Sequence, residues 1–236
     1  MATRTITNSR FVVPTTTQQS LSFNGTSDYA TVPVTPDVAG FCIAGWIYNP
    51  QIKNTVANRH FISWQDSDTV GGFKIFTPFN ESKLTFATYS SSLTAFIAKD
   101  IALGWYHFAA TFTPTSCKFY INGVLIATDT TATMNTTANL FTLGKRSYAA
   151  TYVIMKLWKL TFQNTTTPWT ATEVADLYYQ NKIPTGALQW SMNGVATDQN
   201  GENALTLTGT SYSSDAPFQP RSTAGTRLTA GTRLPV

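Results

Sequence analysis

Charged side chains are scarce in this sequence: Asp, Glu, Lys and Arg make up 12% of its 236 residues, against 42% hydrophobic residues. This balance excludes a disordered or strongly solvated chain and is typical of one globular domain. No run reaches the roughly 18 apolar residues that a membrane-spanning helix needs. The N-terminus also lacks the apolar segment of a secretory signal. We therefore expect neither a membrane span nor a cleaved leader.

Histidine and cysteine are equally rare, with two residues of each. His60 and His107 cannot supply a metal site of several imidazoles, and no C-x-x-C, G-x-S-x-G or phosphate-binding glycine loop is present. Cys42 and Cys117 permit one disulfide at most, and in a chain without a leader we expect two buried thiols. These shortages leave little room for nucleophilic or metal-dependent catalysis.

The net charge of +4 is concentrated at the two ends of the chain. Residues 1–20 and 219–236 contain five of the 16 basic residues and no acid, which leaves 11 basic against 12 acidic residues between them. A phosphate-tracking groove needs clustered Lys and Arg, and the middle of the chain has no such cluster. We therefore expect no nucleic-acid readout.

This distribution divides the chain into an N-terminal arm (1–20), a domain (21–218) and a C-terminal arm (219–236) in which TAGTRL occurs twice in tandem. Composition alone is compatible with two disordered tails. The alternative is a pair of docking arms, because each holds apolar residues beside its arginines, and paired arginines suit an acidic partner surface. The residues assigned to docking are Arg4, Arg10, Phe11, Arg221, Arg227 and Arg233.

Short alternating runs of apolar and β-branched residues, such as 41–48 and 156–162, dominate the domain, and turn residues separate them. They predict an all-β antiparallel sandwich or barrel. Asn122 and Gly123 between two runs predict a type I′ hairpin turn. One short surface helix is predicted from Thr170, since Thr170-Ala-Thr-Glu173 has the spacing of a capping box and an apolar stripe follows it.

The order of these motifs resembles the concanavalin A-like, laminin G-like jelly-roll domains found in phage, bacterial and pentraxin-like proteins. The resemblance covers nearly all of residues 21–218 and implies a two-sheet jelly-roll sandwich in which His107, and similarly His60, are structural strand residues. Its motifs are L-S-F-N-G-T-S-D-Y at 21–29, F-C-I-A-G-W at 41–46, G-W-Y-H-F-A-A-T at 104–111, K-F-Y-I-N-G-V at 118–124 and the helix from 170.

A further segment, residues 183–207, resembles one that precedes the domain in many relatives, although here it follows the domain. This order implies a circularly permuted jelly roll whose closing strand, 204–208, occupies an edge usually taken by an N-terminal strand. Termini that lie close together make such a permutation tolerable. We therefore expect both arms to leave the sandwich from neighbouring places.

The same fold also hosts glycoside hydrolases, which need two carboxylates about 5–5.5 Å apart in the retaining case. Asp66 and Asp68 form the only closely spaced pair of candidates, and their polar, glycine-rich surroundings favour a solvated turn. The E-x-D-x-x-E motif of the hydrolases that share the fold is absent. We therefore expect no enzyme.

Calcium is the cofactor that the resemblance implies, because relatives often hold it at the sandwich rim. A calcium ion takes six to eight oxygen ligands, and two carboxylates make a thin site. The alternative is that both acids cap turns. The residues that match such a site are Asn24, Asp28, Asp198, Asn200 and Asn203.

Sugar binding in lectin-like modules uses aromatic faces and a few amide or carboxylate groups. Aromatic residues in or beside predicted loops are candidates, although the alternative is that they fill the core. These candidates are Trp64, Tyr89, Tyr148 and Tyr152, with Trp169 as a further ring.

Two functions fit these features. The first is a non-enzymatic structural protein of a phage or virus surface, such as a capsid decoration or fibre-head protein, assembled in the host cytoplasm and docked through its arms on a capsid or other virion protein. We expect such a protein to form homo-oligomers. The alternative is a soluble carbohydrate-binding lectin, with or without calcium, that is cytoplasmic or exported non-classically and recognises cell-surface glycans in adhesion or host recognition.

Overall fold

The structure is a computed structural model that describes residues 18–50, 57–67, 70–137 and 139–217. The docking residues Arg4, Arg10, Phe11, Arg221, Arg227 and Arg233 lie outside these ranges, so their role stays a prediction. Within the described ranges, no helix is long and apolar enough to cross a bilayer.

Fifteen strands and one helix make up the regular structure of the described residues. The strands are β1 (Ser20–Asn24), β2 (Tyr29–Thr31), β3 (Phe41–Asn49), β4 (Arg59–Trp64), β5 (Phe73–Thr77), β6 (Lys83–Tyr89), β7 (Leu93–Asp100), β8 (Gly104–Thr113), β9 (Ser116–Ile121), β10 (Val124–Asp129), β11 (Thr142–Leu143), β12 (Ile154–Asn164), β13 (Leu188–Trp190), β14 (Thr206–Thr208) and β15 (Ser211–Ser213). The helix α1 (Ala171–Gln180) lies between β12 and β13.

Two antiparallel sheets form the sandwich that the sequence predicts. The eight-stranded sheet has the order β10-β9-β8-β3-β12-β1-β15, with β13 paired to β12. The seven-stranded sheet has the order β14-β2-β11-β4-β5-β6-β7. Because neighbours in space are often distant in sequence, each sheet collects side chains from several separate parts of the chain.

Side chains from the two sheets meet in one aromatic core. Phe41 of β3 stacks on Phe73 of β5, with 4.6 Å between ring centroids. Phe112 and Phe162, on the two strands beside β3, lie 5.5 and 6.1 Å from Phe41. All four rings are buried, and full burial of each stabilises the fold by about 1.5–3 kcal/mol. This packing fixes which face of each sheet points inward and leaves the opposite faces for loops and ligands.

The predicted hairpin turn is present between β9 and β10. Asn122 and Gly123 adopt φ angles of 50° and 77°, as a type I′ turn requires. The Asn122 side chain is also used, since its Oδ1 accepts a 2.9 Å hydrogen bond from the backbone N–H of His107. Ile121 and Val124 consequently pair in register across the turn.

The predicted capping box begins helix α1. The backbone N–H of Glu173 donates to Thr170 Oγ1 at 3.2 Å, and Thr170 N–H donates to Glu173 Oε2 at 2.8 Å. Val174 and Leu177 are buried against the outer face of the eight-stranded sheet, where they pack with a cluster that includes Tyr120. The helix therefore covers one outer face of the sandwich, as the apolar stripe predicts.

The two cysteines cannot form a disulfide with each other in this fold. Cys42 lies opposite Thr111, and Cys117 lies opposite Phe112. Since side chains alternate along a strand, the two thiols lie on opposite faces of the sheet. Both are free and buried, as predicted, and burial raises the pKa of each to about 12.

The two ends of the described chain lie side by side. Strand β15 pairs with β1, and Ser20 Oγ donates to the backbone oxygen of Asp215 at 2.5 Å. Asp215 is also tied to the eight-stranded sheet, because Lys156 Nζ lies 2.6 Å from its Oδ2. The predicted closing strand is β14, at the edge of the seven-stranded sheet beside β2. Strands β1 and β15, at the two ends of the described chain, are therefore neighbours, and the permuted order with both arms leaving from this place stays a prediction.

Candidate functional site

The outer face of the seven-stranded sheet carries a row of polar side chains. Strand pairing places Thr31 opposite Thr142, Thr142 opposite Ser63, and Ser63 opposite Lys74. The residues that follow or precede them on these strands, such as Ile62, belong to the sandwich core. Alternation along each strand therefore directs this row away from the core. Helix α1 packs on the outer face of the eight-stranded sheet, so it does not cover this face of the seven-stranded sheet.

The loop from Gly144 to Val153 folds over this face. It is closed by two backbone hydrogen bonds, from Val153 N–H to Gly144 O at 2.9 Å and from Arg146 N–H to Thr151 O at 3.0 Å. Ser147 attaches it to the end of β4, because its Oγ accepts from Gln65 N–H and donates to Gln65 O, both at 2.8 Å. The loop is thus held at both its base and its tip.

This anchoring gathers a group of rings and cations, which we call the tyrosine–lysine cluster: Tyr29, Lys145, Arg146, Tyr148 and Tyr152. Lys145 Nζ lies 3.7 Å from the Tyr29 ring centroid, a cation–π contact. The Tyr29 and Tyr152 centroids are 6.2 Å apart, and the Arg146 guanidinium carbon lies 5.9 Å from the Tyr148 centroid. All five side chains are half-buried. They combine ring surface with donors that remain within reach of solvent.

Positive charge extends beneath the cluster. Lys74 is 2% exposed, and its Nζ lies 4.4 Å from the Phe76 centroid and 4.8 Å from the Tyr89 centroid. His60, on the neighbouring strand, is also buried. Burial lowers the pKa of His60 well below its ordinary value, and the charges of Lys74 and Arg146 lower it further. Lys74 and Arg146 therefore lie close enough to His60 for their charges to act on it.

Comparison with known proteins identifies the fold family. The family model described as the concanavalin A-like lectin/glucanases superfamily matches residues 24–174. The chain belongs to this superfamily. No curated protein matches it.

Two solved structures show how closely the concanavalin A-like architecture is kept. A candidate carbohydrate-binding protein of Bacteroides ovatus has a TM-score of 0.63 at 15% identity, over 83% of this chain and 59% of that one. A heptameric SAP-like pentraxin of Limulus polyphemus has a TM-score of 0.57 at 14% identity, over 84% of this chain and 95% of that one. The chain thus spans less than two thirds of the Bacteroides protein, and at these identities the likeness shows the fold.

The concanavalin A-like sandwich divides the predicted sugar-binding rings into two groups. Tyr148 and Tyr152 both lie in the 144–153 loop, where Tyr152 contacts Tyr29 and Tyr148 contacts Arg146. The prediction is wrong for Trp64 and Tyr89, which are 1% and 5% exposed and present no face to solvent. Trp64 points into the core, and Tyr89 lies under Lys74. Trp169 is buried beside helix α1.

Tyr29, Lys145 and Arg146 belong to the cluster but were not predicted as site residues. A local signal for two of them exists, because the sequence from 144 to 148, G-K-R-S-Y, places two cations next to a predicted ring. Tyr29 has no such signal. It reaches the cluster because β2 pairs with β11, a contact between residues more than 100 positions apart.

The first predicted calcium loop uses its oxygen atoms internally. Asn24 Oδ1 accepts from the backbone N–H groups of Thr26, Ser27 and Asp28 at 2.8 to 3.2 Å. Asp28 Oδ2 accepts from Asn24 N–H at 3.0 Å, and its Oδ1 accepts from Ser27 Oγ at 3.2 Å. These are turn-capping contacts, as the alternative interpretation of Asp28 predicts.

The second predicted loop is organised in the same way around Asp198. Its Oδ1 accepts from the N–H groups of Asn200 and Glu202 at 3.2 and 3.0 Å, and its Oδ2 accepts from Asn203 Nδ2 at 2.8 Å. Burial raises the pKa of Asp198, but the hydrogen bonds from Asn203, Glu202 and Asn200 outweigh burial and hold that pKa below its ordinary value. Asp198 therefore also caps a turn.

The two loops do not converge on one ion. Asn24 lies opposite Ile154 of β12, whereas Trp190, the bridge partner of Asp198, lies opposite Leu160. Six residues of β12 separate these positions, about 20 Å at roughly 3.3 Å per residue. Among the residues that the structure describes, no group of three or more His, Cys, Asp and Glu side chains is placed to hold a metal. The predicted residues therefore do not fit a shared calcium site.

Calcium added to chelator-treated protein is consequently expected to leave its melting temperature unchanged, because the carboxylates of Asp28 and Asp198 already accept hydrogen bonds within their loops. A ligand that binds only the folded state raises stability by mass action. Thermal unfolding with and without calcium checks this expectation. A rise in melting temperature that Asp198→Asn abolishes would contradict it.

Of the two acids considered for hydrolysis, Asp66 and Asp68, the structure describes Asp66. Asp66 Oδ1 accepts from Thr137 Oγ1 and, at 3.2 Å, from Asn139 Nδ2. Its backbone N–H donates to Val70 O at 3.0 Å, so Asp66 lies in a turn. Asp68 lies outside the described residues. The two histidines lie buried in β4 and β8, which confirms their expected structural placement.

Proposed function

We propose that the protein is a non-enzymatic carbohydrate-binding module whose site is the tyrosine–lysine cluster. The observation that carries the proposal is the pair of half-buried rings, Tyr29 and Tyr152, held 6.2 Å apart with the Lys145 ammonium against Tyr29. Sugars bind on aromatic faces with a few directed polar groups around them. Membership of the concanavalin A-like lectin/glucanases superfamily and the likeness to the Bacteroides candidate carbohydrate-binding protein support carbohydrate recognition.

The loop that carries four of the five cluster residues is ordered by its own contacts before any ligand binds. Ser147 bonds to both backbone groups of Gln65, and the loop base closes between Gly144 and Val153. A site ordered in advance loses little conformational entropy on binding. The neighbouring carboxylate, Asp28, is engaged within its own turn, so the cluster supplies donors for binding and no acid and base pair for cleavage.

Replacing Tyr152 with Ala is expected to weaken glycan binding at least tenfold, since it removes one of the two neighbouring rings, Tyr29 and Tyr152. The measurement is binding of the full chain and of the variant to a glycan array, followed by titration of the strongest glycan. Tyr179→Ala is the matched control, because Tyr179 is an exposed tyrosine on α1, which covers the opposite sheet. Equal loss in both variants, or binding by neither the native chain nor the variants to any glycan, would contradict the proposal.

A second candidate function is a structural role on a virion surface, with the arms docked on a capsid protein and the domain displayed outward. The feature that favours it is the concentration of five arginines and no acid in the two arms, whose attachment points meet at Ser20 and Asp215. Two cationic arms leaving from one place would contact one acidic partner surface together. A homo-oligomer on the particle would multiply weak glycan contacts in the same way.

Density-gradient sedimentation of native source material, with mass spectrometry for this chain, tests the virion role. Migration with particles is expected, and a full chain with all five arm arginines changed to Gln should fail to rejoin depleted particles. Sedimentation as a small free protein would contradict this role and favour the soluble lectin, whether cytoplasmic or exported non-classically.

A further inference from the structure

Resting on the carbohydrate-binding function proposed above, we infer that the tyrosine–lysine cluster selects anionic saccharides, those with a carboxylate or sulfate group, over neutral ones. The inference starts from Lys145. Its ammonium group lies on the Tyr29 ring at 3.7 Å from the centroid. The ion pairs of the described residues join Lys83 to Glu81, Lys156 to Asp215 and Lys182 to Asp176.

Lys145 is thus without a carboxylate partner in the part of the chain that the structure describes. A ring face attracts an ammonium less strongly than a carboxylate does, and it leaves the N–H donors on the far side unused. The side chain is half-buried, so an anion that replaced its remaining water would meet a partly desolvated charge. A charge-assisted hydrogen bond is stronger in such a place than in bulk water.

The surroundings of Lys145 add positive charge. Arg146 is its neighbour in the chain, and Lys74 lies beneath the same face. Both charges lower the pKa of buried His60 beyond the larger effect of burial itself. These cations are a local feature, because residues 21–218 taken together carry 11 basic and 12 acidic side chains.

Two acids near this face in sequence, Asp28 and Asp66, are bonded to local donors and form no ion pair with Lys145. Asp28 precedes Tyr29, but both its carboxylate oxygens accept hydrogen bonds within the 24–28 turn. Asp66 follows β4, and its Oδ1 accepts from Thr137 and Asn139. The carboxylates are therefore held by local donors, whereas the Lys145 ammonium is held by a ring.

The balance of donors and acceptors favours the same ligand class. Neutral sugars present hydroxyl groups that both donate and accept, so sites for them commonly include carboxylate or amide acceptors. The cluster offers the Lys145 ammonium, which only donates, together with tyrosine hydroxyls. Carboxylate and sulfate oxygens only accept, and they match donors of this kind.

An array of matched glycan pairs, each printed with and without its acidic group, tests the inference with the full chain. Sialylated and desialylated pairs test carboxylates, and sulfated and desulfated pairs test sulfates. We expect at least tenfold stronger binding to the acidic member, and a loss of most of this preference in Lys145→Gln and at high salt. Lys145→Arg should retain it. Lys118→Gln is the matched control, because Lys118 is a half-buried lysine on the opposite sheet and should not alter the preference.

The outcomes separate this inference from the proposed function. Equal binding to both members of each pair, with loss of both in Tyr152→Ala, would overturn the anionic preference and keep the carbohydrate site. An acidic preference that Lys145→Gln leaves unchanged would also overturn it. Binding to no member of any pair would overturn both. Melting temperatures of the variants show that each one is folded.

Discussion

Acidification from pH 7 to pH 5 is expected to lower the free energy of unfolding by about 2 kcal/mol through His107, and His60 changes the stability in the same direction. His60 and His107 are 1% and 2% exposed. Burial, with a smaller contribution from the Lys159 charge, lowers the pKa of His107 to about 3. Burial also lowers the pKa of His60 well below its ordinary value. The His107 imidazole therefore stays neutral in the folded protein at pH 5, and burial opposes protonation of His60 as well.

The direction of this change in the free energy of unfolding follows from the number of protons that each state binds. In the unfolded chain a histidine has a pKa of about 6.5, so it binds a proton as the pH falls through that value. The folded protein does not take up this proton until the pH approaches the depressed folded pKa. The unfolded state thus binds more protons between these two values, and stability decreases as the pH falls below about 6.5. The depressed pKa of Asp215 acts only at lower pH, below the ordinary range of carboxylates.

Urea unfolding at intervals between pH 7 and pH 5 measures this effect. His107→Phe keeps an aromatic ring between Trp46 and Tyr178, which contact His107 at centroid distances of 5.3 and 5.5 Å. The variant should lose the part of the pH dependence that His107 contributes, about 2 kcal/mol between pH 7 and pH 5, while the contribution of His60 remains. Stability that is constant across this range, or a variant with the native slope, would contradict the assignment of buried neutral histidines.

Gly72→Ala is expected to destabilise the fold by at least about 3 kcal/mol. Gly72 lies just before β5 with φ of 60°, and a Cβ built there would be 1.6 Å from the backbone oxygen of Trp64. Side chains can turn away from such a clash, but a backbone oxygen can move only if its strand moves. Gly72 also links neighbouring segments, because its N–H donates to Asn135 O at 3.0 Å and its carbonyl accepts from Tyr89 N–H at 2.9 Å.

Gly201→Ala separates the clash from the cost of the left-handed backbone. Gly201 has φ of 77°, and a Cβ there would meet nothing within 4 Å. This control should lose only about 1 kcal/mol, the cost of a left-handed conformation for a residue other than glycine. Thermal and urea unfolding of both variants provide the comparison. Similar losses in the two would show that the approach of Gly72 to β4 does not constrain the fold.

Local rules account for the features that the sequence predicted well. The capping box at Thr170 and the turn at Asn122 each depend on residues within a few positions of one another. The assignment of Asp28 and Asp198 to turns is of the same kind, since the donors of their hydrogen bonds lie one to five residues away in the chain. Such features form from short segments, so their sequence signals suffice.

The candidate site depends on register between distant strands. Every residue of β4 is buried, because the 144–153 loop covers its outer face while the core covers its inner face. The alternation of residues along β4 therefore could not show that Trp64 points into the core. From the sequence alone, Trp64 could equally have belonged to the loop that follows β4. Tyr29 joins Tyr152 only through the pairing of β2 with β11, which no local pattern encodes. The same lack of register information made the two acidic loops appear compatible with one calcium ion.

Mapping a bound glycan onto the backbone tests the central claim most directly. Amide chemical shifts of isotope-labelled full-length protein would be followed during titration with the glycan that gives the strongest array signal. We expect the largest changes in amide chemical shift at Tyr29 and in the loop from 144 to 153. Changes confined to helix α1 or to the outer face of the eight-stranded sheet, or no changes at saturating glycan, would contradict a carbohydrate site at the tyrosine–lysine cluster.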